Sequence, residues 1–214
     1  MAGKLSGIRN EYSKAKLNKK EVNPDPIVQL NTWLEEAVKA EVYEPTAMFI
    51  ATTGKNLRPS SRTVLLKEVA DGKLVFYTNY ESRKGRQLEE NPFISATLFW
   101  KELERQIHIE GKVEKVPAEM SDEYFKSRPW KSRIGARISP QSQEIESRNT
   151  IKNAFAKETL ITALKGIKRP DTWGGYFIIP DRIEFWQGRK NRLHDRILFT
   201  KEGDHTWKIV RLAP

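Results

Sequence analysis

Apolar residues recur at Ile27, Leu30, Leu34, Ala37 and Val38, a spacing of three and four that predicts an amphipathic helix. Asp25-Pro26 reads as its N-cap followed by proline at the first helical position, and the pattern runs to about Ala40 with Trp33 as a packing residue. From Thr46 the period shortens. TAMFIATT, Arg62 to Val69 and Lys73 to Asn79 are short β-branched and aromatic runs separated by Gly54 and by the hairpin signal Asp71-Gly72. SRKGRQLEEN predicts a short helix capped by Ser82 and stopped by Asn91-Pro92, before strands at Phe93 to Phe99 and Arg105 to Val116.

Pro117 opens a helical region through Phe125, and after Ser139-Pro140 a second helical run carries Ile151, Phe155 and Leu160 toward Leu164. The final third returns to strands: Gly175 to Ile179, Arg182 to Gln187, Arg196 to Thr200, and Thr206 to Leu212 behind Glu202-Gly203-Asp204. Seven or more closely spaced short strands predict a mainly β, α+β fold. A closed or nearly closed antiparallel barrel with peripheral helices removes the exposed strand edges. Residues 24–214 read as a single domain. Residues 1–23 are polar and basic without apolar periodicity, the pattern of a mobile tail.

Composition narrows the partners. A net charge of +10 asks for an anion, but outside the N-terminal stretch the basic residues are interleaved with 28 acids. Discrete phosphate sites fit that distribution better than a nucleic-acid groove. Zero cysteines exclude thiolate nucleophiles, disulfides and thiolate metal sites. His108, His194 and His205 are not at metal-ligand spacing, so no metal is expected. No apolar run reaches membrane-spanning length and no apolar segment follows the basic N-terminus, so the expectation is a soluble protein of the cytoplasm.

Four stretches carry candidate chemistry. In FWQGRKNRLHDR, Phe185 to Arg196, an extended chain would place Arg192, His194 and Arg196 on one face, where like charges repel unless an anion lies between them. In RTVLLK, alternation puts Arg62 and Lys67 on opposite faces, so either the strand twists or bulges there or the two serve different neighbours, one of them across a subunit interface. In YTNYESRKGRQ, Tyr77-Thr78 end a strand, and Arg83 and Lys84 sit at a helix N-terminus whose free N–H groups suit a phosphate. YFKSRPWKS sets Tyr124, Arg128 and Ser132 four apart, two hydroxyls and a guanidinium for one helical face, although Pro129 interrupts it. Gln141-Ser142 follow, as caps of the next helix or as ligand donors. No paired carboxylates and no Ser/His/Asp set offer a nucleophile, so an enzyme of this composition would leave the reaction to a cofactor.

In this order, RTVLLK, FYTN-YESRKGRQ, ERQIHIEGKVEKV, YFKSRPWKSRIGA, SPQS, WGGY, IEFWQG, NRLHDR and the terminal WKIVRLAP closely resemble the pyridoxamine 5′-phosphate oxidase family, from Arg9 to Pro214. The resemblance implies an FMN-binding split barrel and a homodimer with FMN at the subunit interface. It implies oxidation of pyridoxamine or pyridoxine 5′-phosphate to pyridoxal 5′-phosphate, with dioxygen as acceptor and hydrogen peroxide released. The family's FMN contacts fall on Arg62, Thr63, Val64, Leu65, Leu66, Lys67, Tyr77, Thr78, Arg83, Lys84, Gln106, Gln141, Ser142, Trp186 and Arg196. Its substrate contacts fall on Arg9, Tyr12, Lys67, Tyr124, Arg128, Ser132, Arg192 and His194, of which Arg192 and His194 would be catalytic. The likeness turns residues 1–23 from a tail into an expected active-site lid. Arg137, Arg189 and Lys190 add charge where relatives would carry apolar or neutral residues.

Two other readings compete: a split-barrel flavin protein acting on another substrate, and a basic nucleic-acid-binding barrel. The first leaves NRLHDR and YFKSRPWKS without a purpose. The second explains the charge but not the ordered motifs.

Overall fold

In the computed structural model, which describes residues 11–204 and 206–214, the Asp25 side chain accepts a 2.8 Å hydrogen bond from the Ile27 N–H and opens α1 (Pro26–Lys39). Such a cap is worth about 1 kcal/mol. Leu30, Trp33 and Ala37 are buried along one face of the helix, but of the other expected face residues Ile27 and Leu34 are half-buried and Val38 is exposed, because the buried stripe runs through Trp33 rather than Val38.

Nine strands are found among the described residues: β1 (Ala47–Thr52), β2 (Ser60–Leu65), β3 (Glu68–Ala70), β4 (Lys73–Asn79), β5 (Phe93–Trp100), β6 (Arg105–Lys115), β7 (Trp173–Gln187), β8 (Asp195–Lys201) and β9 (Trp207–Leu212). Helices α2 (Arg83–Glu90), α3 (Ala118–Ser127), α4 (Trp130–Ile138) and α5 (Arg148–Lys165) complete an α+β fold. The hydrogen-bonded order is β2-β1-β5-β6-β7-β4-β3, with β8 added to β7 and β9 to β8. Asp71 and Gly72, at φ of 50° and 74°, make the β3–β4 turn with both central residues left-handed, as the Asp-Gly signal requires.

The chain forms two compact units. One comprises residues 11–48, 96–110 and 180–214. In it Trp33 meets Phe185 edge-on at 5.1 Å, Phe185 meets Phe199 at 5.6 Å, and the Arg105 guanidinium lies 4.4 Å over Trp33. Buried Gln187 accepts from Arg105 Nε and donates to the Leu103 and Glu104 carbonyls, so its amide is satisfied. Residues 12–22 do not behave as a tail. Glu104 accepts from the Ser13 and Lys14 N–H groups, Asp195 accepts from the Leu17 N–H, and Leu17 and Val22 are buried.

The other unit comprises residues 49–95 and 111–179. Leu74, Val75 and Phe76 of β4 are buried opposite the start of β7, in the register Val75↔Phe177 and Tyr77↔Gly175. Ser82 caps α2 by accepting from the Gly85 N–H, and Asn91 ends it. Arg137 is also explained here: it pairs with Glu158 at 2.6 Å and donates to the Lys168 carbonyl, tying α4 to α5.

Three local readings are corrected. Arg62 to Val69 is not one strand: it breaks after Leu65, Leu66 is buried, and the Lys67 N–H donates to the Val75 carbonyl before β3 begins. The two strands expected at 175–179 and 182–187 are one. Pro180 is tolerated because it falls between the β4 ladder, which ends at Ile178, and the β8 ladder, which begins at Arg182. Gln141-Ser142 do not cap a helix; Ser147 precedes α5. Among the described residues, no helix is long and apolar enough to cross a membrane.

Candidate active site

Two glycines shape the site. A Cβ at Gly175 would lie 2.8 Å from the Tyr77 ring, and one at Gly174 would lie 2.2 Å from the Tyr80 hydroxyl. Their absence lets both rings lie against β7, where the Tyr80 hydroxyl donates to the Gly175 carbonyl. Tyr77 then stacks on Tyr124 of α3 at 4.0 Å and on Trp173 at 5.5 Å, all three planes nearly parallel. Burial, with Glu68 adding to it, pushes the Tyr77 phenol up to about 12, so it stays protonated and can donate.

Beside this stack, Lys84 is 7% exposed, and its ammonium donates to Thr78 Oγ1 at 2.9 Å, Gln141 Oε1 at 2.9 Å and Ser82 Oγ at 3.2 Å. All three acceptors are uncharged. Burial, and secondly the Arg62 charge, lower Lys84 to about 8. Arg62 donates to Thr52, Ser60 and, at longer range, Gln87, and is likewise lowered by burial and by Arg83. A buried ammonium without a carboxylate is a standing cost unless an anion joins it.

Tyr124, Arg128 and Ser132 do come together, but not on one helical face. Pro129 ends α3 after Ser127 and begins α4, so Arg128 stands at the break. Its Nη1 is buried and has no partner among the described residues, and its guanidinium lies 4.7 Å over the Trp173 ring. Burial lowers its pKa.

These groups line a cavity of about 450 Å³. From the expected FMN contacts it takes Thr63, Val64, Leu65, Lys67, Tyr77, Thr78, Lys84 and Gln141; from the expected substrate contacts, Lys67, Tyr124, Arg128 and Ser132. Pro129 and Trp173 complete the wall, and no lining residue is acidic. Arg62 is not in the lining while Lys67 is, but strand alternation does not decide this, because β2 ends at Leu65 and Lys67 lies beyond it. Leu66 is buried, Arg83 and Ser142 are exposed, and Gln106 is half-buried on β6. In the sequence Trp173 stands out only as part of WGGY, and nothing local marks it as a wall of the cavity.

The other expected residues cluster in the first unit. Tyr12 meets Trp186 and His194 edge-on, each at 5.7 Å, and Trp186 and His194 are 4.6 Å apart. Gly188 makes room for Tyr12, since a Cβ there would come within 2.7 Å of its ring. The Arg189 N–H donates to His194 Nδ1 at 3.1 Å, which makes Nδ1 the acceptor and leaves the proton of the neutral ring on Nε2. Burial and Arg192 lower His194, favouring that neutral form. Arg189 also donates to the Ala15 carbonyl, so this added charge holds the N-terminal segment. Lys190 is exposed and nothing in the structure explains it.

The shared face of Arg192, His194 and Arg196 is not realised. Asn191 and Arg192 are left-handed, at φ of 56° and 61°, and β8 begins only at Asp195. Arg196 is held by Glu184 through a fork of 2.7 and 2.9 Å, with Nη1 on the Ala213 carbonyl. Arg9 lies outside the described residues.

A family model described as pyridoxamine 5′-phosphate oxidase matches residues 34–161, and one described as the pyridoxine 5′-phosphate oxidase C-terminal dimerisation region matches residues 173–214. The pyridoxine/pyridoxamine 5′-phosphate oxidase of Bacteroides thetaiotaomicron is 57% identical over 210 residues, covering 98% of this chain and 99% of that one. Its counterpart from Chromobacterium violaceum is 51% identical over 214 residues, the full length of both. Among solved structures, PhzG from Burkholderia lata 383, in complex with tetrahydrophenazine-1-carboxylic acid, superposes with a TM-score of 0.87 at 30% identity, covering 94% of this chain and 100% of that one.

Proposed function

The chain belongs to the pyridoxamine 5′-phosphate oxidase family, and from that premise we propose how its residues serve the reaction. It is an FMN-dependent oxidoreductase with the split-barrel fold, converting pyridoxamine or pyridoxine 5′-phosphate to pyridoxal 5′-phosphate. One observation supports the residue-level reading above others: an acid-free cavity holding a buried ammonium, Lys84, and a guanidinium nitrogen on Arg128 that has no partner among the described residues. Both reaction partners carry phosphate, so two cationic subsites are what the chemistry asks for.

Lys84 and Gln141, with Arg62 close enough in space to act on the Lys84 charge and with Arg83 and Ser142 as their sequence neighbours, would hold the FMN phosphate, and Thr63 to Lys67, Tyr77 and Thr78 the rest of the cofactor. Gln106, Trp186 and Arg196 are assigned to FMN by the family likeness. Arg196, already forked on Glu184, would act there as a neutralised, rigid group rather than as a free charge. Tyr124, Arg128, Ser132 and Lys67 would take the substrate phosphate. FMN, when bound, accepts two electrons from the substrate and passes them to dioxygen, which leaves as hydrogen peroxide.

Arg192, exposed on its left-handed turn, would orient the substrate and offset charge developing on it. His194, neutral with its proton on Nε2, would donate a hydrogen bond to the substituent at the reacting carbon. The alcohol substrate gives the aldehyde directly; the amine gives an imine that water hydrolyses with loss of ammonia. We place FMN at the subunit interface of a homodimer, a reading supported by the match of residues 173–214 to a dimerisation region. Residues 12–22 and Arg9 would form the lid.

Absorbance tests the whole reading. Purified protein should be yellow, with flavin near one per chain, and pyridoxine 5′-phosphate should bleach it without oxygen. A colourless protein unable to bind FMN would overturn it.

A further inference from the structure

We propose that Trp173 is a positioning residue for the substrate phosphate: its indole face holds the Arg128 guanidinium, leaving the edge donors of that guanidinium free for the anion. The inference rests on the functional reading above and adds a residue and a mechanism to it.

A carboxylate that steadies an arginine through a bidentate pair consumes two of its five N–H donors. No lining residue of this cavity is acidic. Arg128 is steadied instead from above, 4.7 Å from the Trp173 ring centre, and its buried Nη1 has no acceptor among the described residues. A contact through the π face costs no in-plane donor. An aliphatic side chain of similar bulk would fill the space but would not hold the cation.

Trp173 is itself fixed. It is 6% exposed, its backbone N–H donates to the Pro170 carbonyl at 3.0 Å, and its backbone carbonyl accepts from Arg169 Nη1 at 2.7 Å. Arg169 Nε pairs with Asp122 Oδ1 at 2.7 Å. Asp122 lies on α3 two residues before Tyr124, so one ion pair sets the strand carrying Trp173 against the helix carrying the hydroxyl donor. Tyr124 is parallel to the indole at 6.2 Å, and Tyr77 stacks on both. The indole therefore has the guanidinium donor and the phenol donor of the phosphate subsite among its neighbours, beside Tyr77 and, edge-on at 5.3 Å, Phe125.

The test compares pyridoxine 5′-phosphate with unphosphorylated pyridoxine, on FMN-loaded protein whose flavin content is checked by absorbance. Trp173→Leu should lower the kcat/KM preference for the phosphorylated substrate about tenfold, mostly through KM. Trp173→Phe, which keeps a ring face, should retain most of the preference. Equilibrium dialysis should show pyridoxal 5′-phosphate binding the Leu variant more weakly by a similar factor. A Leu variant that keeps the preference, or loses activity equally on both substrates, would overturn the proposal. If that variant does not fold, Asp122→Asn decides: it loosens the indole through Arg169, and an unchanged preference would count against the proposal. A wild-type protein that oxidises neither substrate with FMN would instead refute the functional reading.

Discussion

Replacing Lys84 by methionine removes the buried ammonium while keeping most of its bulk. In the FMN-free protein the ammonium is held to about 8 by burial, against an ordinary value of 10.5. That difference corresponds to roughly 3 kcal/mol of destabilisation at neutral pH. Against it stand three hydrogen bonds to neutral acceptors, each worth about 1 kcal/mol. The two nearly cancel, so the FMN-free variant should melt close to wild type at pH 7. The sign of the pH dependence follows from the depressed pKa. Between about 8 and 10.5 the unfolded chain binds the proton more than the folded one, so FMN-free wild type gains stability as pH rises through that window. The variant should lack this slope. FMN binding behaves oppositely, because the charged ammonium is the form a phosphate wants. At pH 7 the variant should lose about 1.5–3 kcal/mol, some 10- to 150-fold in Kd, read by quenching of flavin fluorescence. Wild-type affinity should itself fall above pH 8. A variant that binds FMN within threefold of wild type at pH 7, with an unchanged pH profile, would refute the assignment of Lys84 to the cofactor phosphate.

Other consequences are as direct. Arg192→Ala should lower kcat/KM about 100-fold with FMN content unchanged, since a charge-assisted contact to the substrate is lost; near-normal steady-state kinetics would remove Arg192 from the mechanism. Acidification below the ordinary range of histidine should protonate His194 at Nδ1 and break its bond from the Arg189 N–H. Stability and activity carried by this group should therefore fall on the acid side, and His194→Gln should flatten that limb of the pH–rate profile. Gly174→Ala should drive Tyr80 from the Gly175 carbonyl and lower stability by about 1–3 kcal/mol, visible as a lower Tm in thermal unfolding.

Local chemistry made much of this fold legible. Asp25-Pro26, Ser82, Asn91-Pro92 and Asp71-Gly72 each act within a few residues, and each sits where its capping or turn propensity puts it. What escaped depends on partners distant in sequence. Glu184 reaches Arg196 because the register Trp186↔Arg196 makes them diagonal neighbours on one face. Trp173 becomes a cavity wall only because Tyr77 of β4 and Tyr124 of α3 arrive beside it. Alternation does not hold through Arg192 for a different reason: two consecutive left-handed residues, neither of them glycine, turn the chain where alternation requires an extended path.

The acid-free lining of the cavity has one more consequence, for how the protein must be handled. A site without an internal counter-ion takes one from its surroundings, and inorganic phosphate and sulfate share the charge and the acceptor geometry of the groups it is built to receive. Such buffer anions compete with cofactor and substrate by mass action, so an affinity measured in phosphate buffer understates the intrinsic one. They also quiet the buried ammonium, so the flavin-free protein should be easier to keep in phosphate than in a buffer of bulky, weakly coordinating ions.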